Sequence, residues 1–160
     1  AARLAREQQR ALEQSRAANL AKKRWDEATA STTSPYLQKK GVQSFGLKQE
    51  PSGILLIPIT NPAGEVVSLQ TIDPNGSKRF LEDGSIRGNF CLIGTPDKQV
   101  IVCEGYATGA SIYEATGVAV VVAGGRRRHA ARFTGVTATP PPTARLVAAP
   151  GGARTAWRDA

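Results

Sequence analysis

Glu104 is the residue best placed for chemistry. It follows the apolar run Val100-Ile101-Val102-Cys103 and precedes Gly105. A carboxylate at the C-terminal end of a buried strand, beside a tight turn, sits where open α/β sheets place their ligands. There it can grip a metal or move a proton. Its bland role would be to complement the positive end of the next helix. A second pair, Lys78-Arg79, lies in Gly76-Ser77-Lys78-Arg79-Phe80-Leu81. Neighbours on a strand point to opposite faces, so one of these two cations can reach a phosphate on any given side. Phe80 shares the face of Lys78 and is expected in the core rather than as a base-stacking platform. Lys39-Lys40 could also touch phosphate, but at a helix C-terminus the pair suits the dipole.

The elements that must position these groups follow from periodicity. Val100–Cys103, a helical stretch to Glu114 closed by Gly117, and the apolar run Val118–Ala123 spell a β-α-β unit. Gly105 is read as allowing a sharp exit from the strand and close approach of a phosphate or metal. Tyr106 and Thr108 open the helix, with the Thr108 hydroxyl expected to cap it rather than face substrate, and Glu114 is expected to be a solvated acid. Upstream, Ile54–Ile59, Glu65–Ile72, Ser77–Leu81 and Asn89–Ile93 predict four antiparallel strands. They are separated by Asn61-Pro62-Ala63-Gly64, Asp73-Pro74-Asn75-Gly76 and Asp83-Gly84. Pro58 points to a sheet edge or strand end. Ser34-Pro35 starts a short helix that Gly41 ends. Residues 1–30 lack Gly and Pro and predict a charged, partly exposed helix whose patchy apolar face is Leu4, Ala11, Leu12 and Leu20. Thr29–Ser34 is a polar break.

At 160 residues there is room for one domain or two small ones. The absence of methionine suggests a fragment or a processed product. No apolar run approaches the roughly 20 residues of a membrane span. Cys91 and Cys103 lie in separate strand-like runs and are read as buried free thiols of a cytosolic protein. With His129 the sole histidine, a structural zinc site is not supported.

The Glu-Gly unit with its helix, Glu104-Gly105-Tyr106-Ala107-Thr108-Gly109-Ala110-Ser111-Ile112-Tyr113-Glu114-Ala115-Thr116-Gly117, resembles the first catalytic motif of Toprim domains. The likeness is closest to the Toprim primases of plasmids, phages and integrated elements. Val67–Gly94 and Ser34–Val42 add two segments in the same order, so the resemblance covers Trp25 to Ala123. It implies an α/β (α+β overall) chain with an N-terminal helix, a small antiparallel β unit and an incomplete parallel β-α-β element. It implies RNA primer synthesis on single-stranded DNA from ribonucleotides, with Mg²⁺ as cofactor and a helicase as partner. Glu104 would be the general acid/base, and also a ligand of an incomplete metal site. Gly105, Lys78 and Arg79 would contact nucleotide or nucleic acid. The expected division is a helical spacer 1–30, a β-rich subdomain 31–95, a partial Toprim domain 96–123 and a disordered tail 124–160. The expected location is the cytoplasm.

The pattern breaks after Ala123. A complete Toprim site needs an Asp-x-Asp pair that this chain lacks; beyond Glu104 the acids are Glu114 and Asp159. From 124 to 160, 30 of 37 residues are Ala, Arg, Gly, Thr or Pro, a composition GC-rich codons give out of frame. A frameshift near Ala123–Gly124 is therefore expected, leaving the chain inactive alone and its apolar strands poorly covered. The alternative is a non-catalytic nucleic-acid-binding module using a basic arm, Arg126, Arg127, Arg128 and Arg132. The net charge of +8 invites a nucleic-acid reading, but its distribution weakens it. The tail holds seven arginines against Asp159 (+6), and the 123 residues before it hold 14 bases against 12 acids (+2).

Overall fold

The computed structural model describes residues 1–31, 33–97 and 99–124, and the backbone of residues 145–148 and 156–157. Helix α1 (Ala2–Glu27) buries Ala17 and Ala21, one turn apart, and Trp25 extends that row half-buried. The leucines read as its apolar face are instead exposed: Leu4 63%, Leu12 47% and Leu20 48%. Spaced by eight residues, they drift round the helix by about 80° at each step, whereas alanines at i and i+4 stay on one line and let the helix approach closely. Arg24 anchors the end of α1 with a two-pronged bond to Glu50, at 2.8 and 3.0 Å.

Next come β1 (Thr29–Ala30), α2 (Pro35–Lys40), β2 (Lys48–Gln49), β3 (Leu55–Thr60), β4 (Val66–Ile72) and β5 (Lys78–Phe80). The strands form one antiparallel sheet in the order β1-β2-β3-β4-β5. β1 lies at the start of the stretch read as a polar break. Helix α2 has Pro35 at its first turn and Gly41 in the left-handed region at φ 64°, as its sequence predicts.

Register assigns the faces of this sheet. Ile72 opposes Leu55 and Lys78, and Gln70 opposes Ile57 and Phe80. Thr71 opposes Leu56 and Arg79. Leu55, Ile57 and Ile72 belong to the main core shared with the second sheet, while Leu56 and Leu69 pack against Ala21 and Ala28 beside α1. Lys78 and Phe80 therefore lie on the second-sheet side, and Arg79 on the α1 side. Pro58 sits on a free edge: the Leu69 carbonyl opposite it accepts from Leu81 N–H at 2.9 Å, so residues 58 and 69 do not bond each other. The side of β3 that Pro58 faces is covered by β2 only at Leu55 and Leu56.

The second sheet holds β6 (Cys91–Ile93), β7 (Gln99–Cys103), β8 (Ala119–Val122), β9 (Arg145–Ala148) and β10 (Ala156–Trp157), in the order β10-β9-β7-β8-β6. Helix α3 (Tyr106–Thr116) connects β7 to the parallel β8, the expected β-α-β crossover. Two corrections follow. The run ending at Ile93 does not complete the first sheet; β6 runs antiparallel along β8, and Phe90 just before it bridges Thr60 at the end of β3. Cys91 and Ile93 are buried, and all four residues of β8 are buried, so an apolar edge meets an apolar strand. The tail, expected to lack regular structure, supplies β9, parallel to β7, and β10. The open backbone edge of β7 offers unpaired groups to a short apolar segment such as Leu146-Val147. The rest of the tail, including Arg126, Arg127, Arg128 and Arg132, lies outside the described residues.

The strands expected to be poorly covered are buried. Val100, Val102, Cys103 and Ala119–Ala123 are each no more than 7% exposed. One face packs on α3, α2 and the first sheet; the other gathers Val100, Val102, Val121 and Ala123 with Phe90. Gly109 sets the approach of α3. A Cβ there would stand 2.9 Å from Val122 Cγ2 and 3.0 Å from Cys103 Sγ, so any side chain would push the helix off the sheet. Among the described residues no helix is long and apolar enough to cross a membrane.

Candidate functional site

Strand ends from both sheets converge on one edge. Cys103 and Val122 are partners in the parallel ladder, and Ala123 N–H donates to the Cys103 carbonyl at 2.8 Å. Glu104 thus leaves β7 beside Ala123, the residue that follows β8. It is exposed, while Val102 and Cys103 before it are buried. From the other sheet, Phe80 reaches the residue after Ala123: a Cβ on Gly124 would lie 2.8 Å from Phe80 Cε1 and 3.0 Å from its Cζ. The last residue of β5 therefore touches the end of β8, about one strand spacing of 4.8 Å from the strand that ends in Glu104.

Lys78 accompanies Phe80 on this side, its ammonium 5.0 Å from the centre of the Tyr36 ring. Of the two adjacent cations, Lys78 is the one on the face of β5 that looks toward the Glu104 sheet; Arg79 is on the other. Both are exposed. Phe80, expected in the core, is 36% exposed and belongs to none of the buried clusters. It lies on an outer strand of only three residues, with no strand beyond it among the described residues.

Gly105 has an extended backbone, φ −116°, and a Cβ there would meet only Thr108 Oγ1 at 3.8 Å. The exit from β7 therefore does not demand glycine; what its absent side chain provides is open space beside Glu104. Thr108 does not cap α3: Gly105 is the N-cap residue and no side chain bonds the helix start. The first-turn N–H groups lack a side-chain acceptor, and their positive end lies near the Glu104 carboxylate. Glu114 is exposed but not merely solvated, since its Oε1 accepts the backbone N–H of Gln43 at 2.8 Å. Lys39 and Lys40 stand in the last turn of α2, where they match its dipole.

The neighbouring polar atoms beneath the edge are structural. The Tyr106 hydroxyl donates to the Ser44 carbonyl and the Cys103 thiol to the Gly105 carbonyl at 3.3 Å. Burial pushes both Cys91 and Cys103 up to about 12, and raises Tyr106 as well. None of these groups offers a base near neutrality. Glu104 is an exposed carboxylate at a strand end, placed to accept a proton from a hydroxyl held beside Gly105.

The donor set does not fit a firmly held metal. Among the described residues there is no group of three His, Cys, Asp or Glu side chains that could hold an ion. Glu104 supplies one carboxylate, the lower end of the one or two that Mg²⁺ uses together with substrate phosphates. Two clefts, of about 430 and 390 Å³, lie elsewhere, one between α1 and Asp83-Gly84 and one beside Leu37 and Ser44. Neither is lined by Glu104, Lys78 or Phe80. Two of the features that shape the converging edge, Gly109 and Gly124, went unread in the sequence. A glycine inside a helical run usually marks close packing and was the available signal for Gly109; for Gly124 there was none.

No family model matches the chain. Over 127 residues, 72% of its length, it is 34% identical to the DNA primase TraC of Escherichia coli. The chain is related to primase-type proteins. A second TraC DNA primase of Escherichia coli is 34% identical over 96 residues, 56% of this primase-related chain. The chain spans 9% of the length of each of these two relatives. Among solved structures, it is similar to a chain from the bacteriophage T7 lagging-strand DNA polymerase assembled with primase domains, at 13% identity and a TM-score of 0.42, covering 81% of this chain and 86% of that one. It is also similar to the primase fragment of the bacteriophage T7 primase-helicase protein, at 17% identity and a TM-score of 0.39, covering 62% and 46%.

Proposed function

We propose that the chain is a fragment of a Toprim-type DNA primase, and that it is inactive alone. In this reading Glu104 takes the proton from the attacking 3′-hydroxyl of a ribonucleotide. Lys78 contacts phosphate from β5, Arg79 gives a second contact from the outer face, and Gly105 leaves room for the nucleotide. The supporting observation is the meeting of Phe80 with Gly124, which puts the face of Lys78 and the strand end of Glu104 on one edge. Sequence similarity to a DNA primase supports the reaction class. Mg²⁺ belongs to that class, but the described residues do not make its site. The template would be single-stranded DNA of a plasmid or phage, and a helicase would act as partner. The division into segments 1–30, 31–95, 96–123 and 124–160, the cytoplasmic location and the frameshift near Ala123 belong to the same proposal.

Primer synthesis tests it. With ribonucleotides, Mg²⁺ and a single-stranded template, the 160-residue chain should give no primers. A chain whose frame is restored after residue 123 should give them, and Glu104→Gln should abolish them there. Template-dependent primer formation by the 160-residue chain, lost on Glu104→Gln, would overturn the inactivity. A second reading, a non-catalytic nucleic-acid-binding module, draws on the +6 charge of residues 124–160. It predicts salt-sensitive binding of single-stranded DNA and no primers in any frame.

A further inference from the structure

Phe80 is the one exposed aromatic side chain among the described residues: Trp25, Phe45 and Tyr113 are half-buried, and Tyr36, Phe90 and Tyr106 are buried. A single exposed apolar residue is ordinary on a protein surface. The placement of this one is not. An outer strand with a bare aromatic invites aggregation, yet this ring stands on the face turned toward the second sheet. One edge of the ring abuts Gly124, where the missing Cβ leaves its place open, and Ile86 flanks the same glycine. Lys78, two residues away on the same face, carries an exposed ammonium. An aromatic face and a cation on the same strand face make the components of a base-and-phosphate contact.

We propose that the Phe80 ring is a stacking platform for a heterocyclic base of single-stranded nucleic acid or of a nucleotide, with Lys78 meeting the adjoining phosphate. The inference rests on the functional reading above for the nearness of Glu104, but stacking itself requires no catalysis. Every base has a π-face, so the platform is tolerant of sequence. Gly124 holds the ring in place: a methyl group there would displace it.

The test uses the 160-residue chain and an oligodeoxynucleotide carrying 2-aminopurine, whose fluorescence falls on stacking. A parallel arm uses 2-aminopurine riboside triphosphate. Quenching by the oligonucleotide alone identifies a template base, and quenching by the triphosphate alone an incoming nucleotide. Phe80→Leu should weaken binding about tenfold and abolish the quench, leaving the dependence on salt unchanged, since no phosphate contact is lost. Phe80→Trp should retain both, and the emission of the indole it introduces should fall on binding. Gly124→Ala should reduce the quench. In the functional reading the 160-residue chain forms no primers, so quenching is read without catalysis and a failure of catalysis is distinguishable from a failure of stacking. No quenching in either arm overturns the proposal, as does a folded Phe80→Leu chain that binds and quenches like the parent. Should Phe80→Leu not fold, an introduced indole in Phe80→Trp whose emission is unchanged by either ligand overturns it equally.

Discussion

Cys91 and Cys103 stand opposite the same residue, Val122, from the two sides of β8. Their Cα atoms are therefore separated by two strand spacings, roughly 9 to 10 Å. A disulfide cannot span more than about 7 Å without backbone movement. Both thiols are buried and free. Oxidants should give no intramolecular disulfide, and thiol reagents should label the folded chain only as fast as it opens. Mass spectrometry after brief alkylation, with and without urea, reads this. Rapid double labelling of the native chain would contradict the fold.

Those thiols also set an alkaline limit. Burial raises both from 9.0 to about 12 in the folded state. An unfolded thiol ionises first as pH rises, so the folded chain binds more protons between those values. The stabilisation is complete below about 9 and declines as pH rises toward 12, by at most about 1.4 kcal/mol per pH unit for each thiol. Tyr106 adds to the loss above its ordinary value. Urea unfolding at pH 8 and pH 10 should show the fall, and a Cys91→Ala, Cys103→Ala chain should show a shallower one.

Gly109 should tolerate no side chain. Alanine improves helix propensity by about 1 kcal/mol over glycine, but its Cβ would be forced against Val122 and Cys103. Overpacking of that kind costs about 1 to 3 kcal/mol. The expected net loss is about 1 kcal/mol for Gly109→Ala and more for Gly109→Val. Denaturant midpoints measure it, and a stabilised Gly109→Ala would show that α3 stands further from the sheet.

Lys78 and Arg79 should separate by face. Lys78→Ala should weaken binding of single-stranded DNA severalfold and lower the salt slope by about one. Arg79→Ala, on the α1 side, should do less. Fluorescence anisotropy titrations at 50 and 200 mM salt compare them. Equal losses would mean that nucleic acid passes along both faces of β5.

Glu104→Gln should leave stability within about 0.5 kcal/mol, because the side chain is exposed and Gly105 beside it is unstrained. Thermal unfolding checks this. A large loss would assign Glu104 to holding the start of α3 rather than to chemistry.

Much of this architecture is decided locally. Pro35 and Gly41 bound α2, Gly117 ends α3, and Asn61–Gly64 and Asp73–Gly76 close turns on 2.9 and 2.8 Å bonds. Such signals act within a few residues and need no partner. The apolar run Val100–Cys103 and the all-apolar β8 likewise foretold a parallel pair around a helix. The sequence could not say which sheet Cys91–Ile93 would join, because an apolar strand fits any apolar edge and the choice rests on what lies beside it. Nor could it say which face of β5 would look toward Glu104: the alternation separates Lys78 from Arg79, but only the pairing of Ile72 with both Leu55 and Lys78 gives that separation a direction. The exposure of Phe80 belongs to the same class, since burial depends on what covers an outer strand. By itself the sequence determined the elements, the turns and the acid at a strand end; only the packing of two sheets decided which side chains meet there, because contacts between residues distant in the chain follow from register and close packing rather than from local preference.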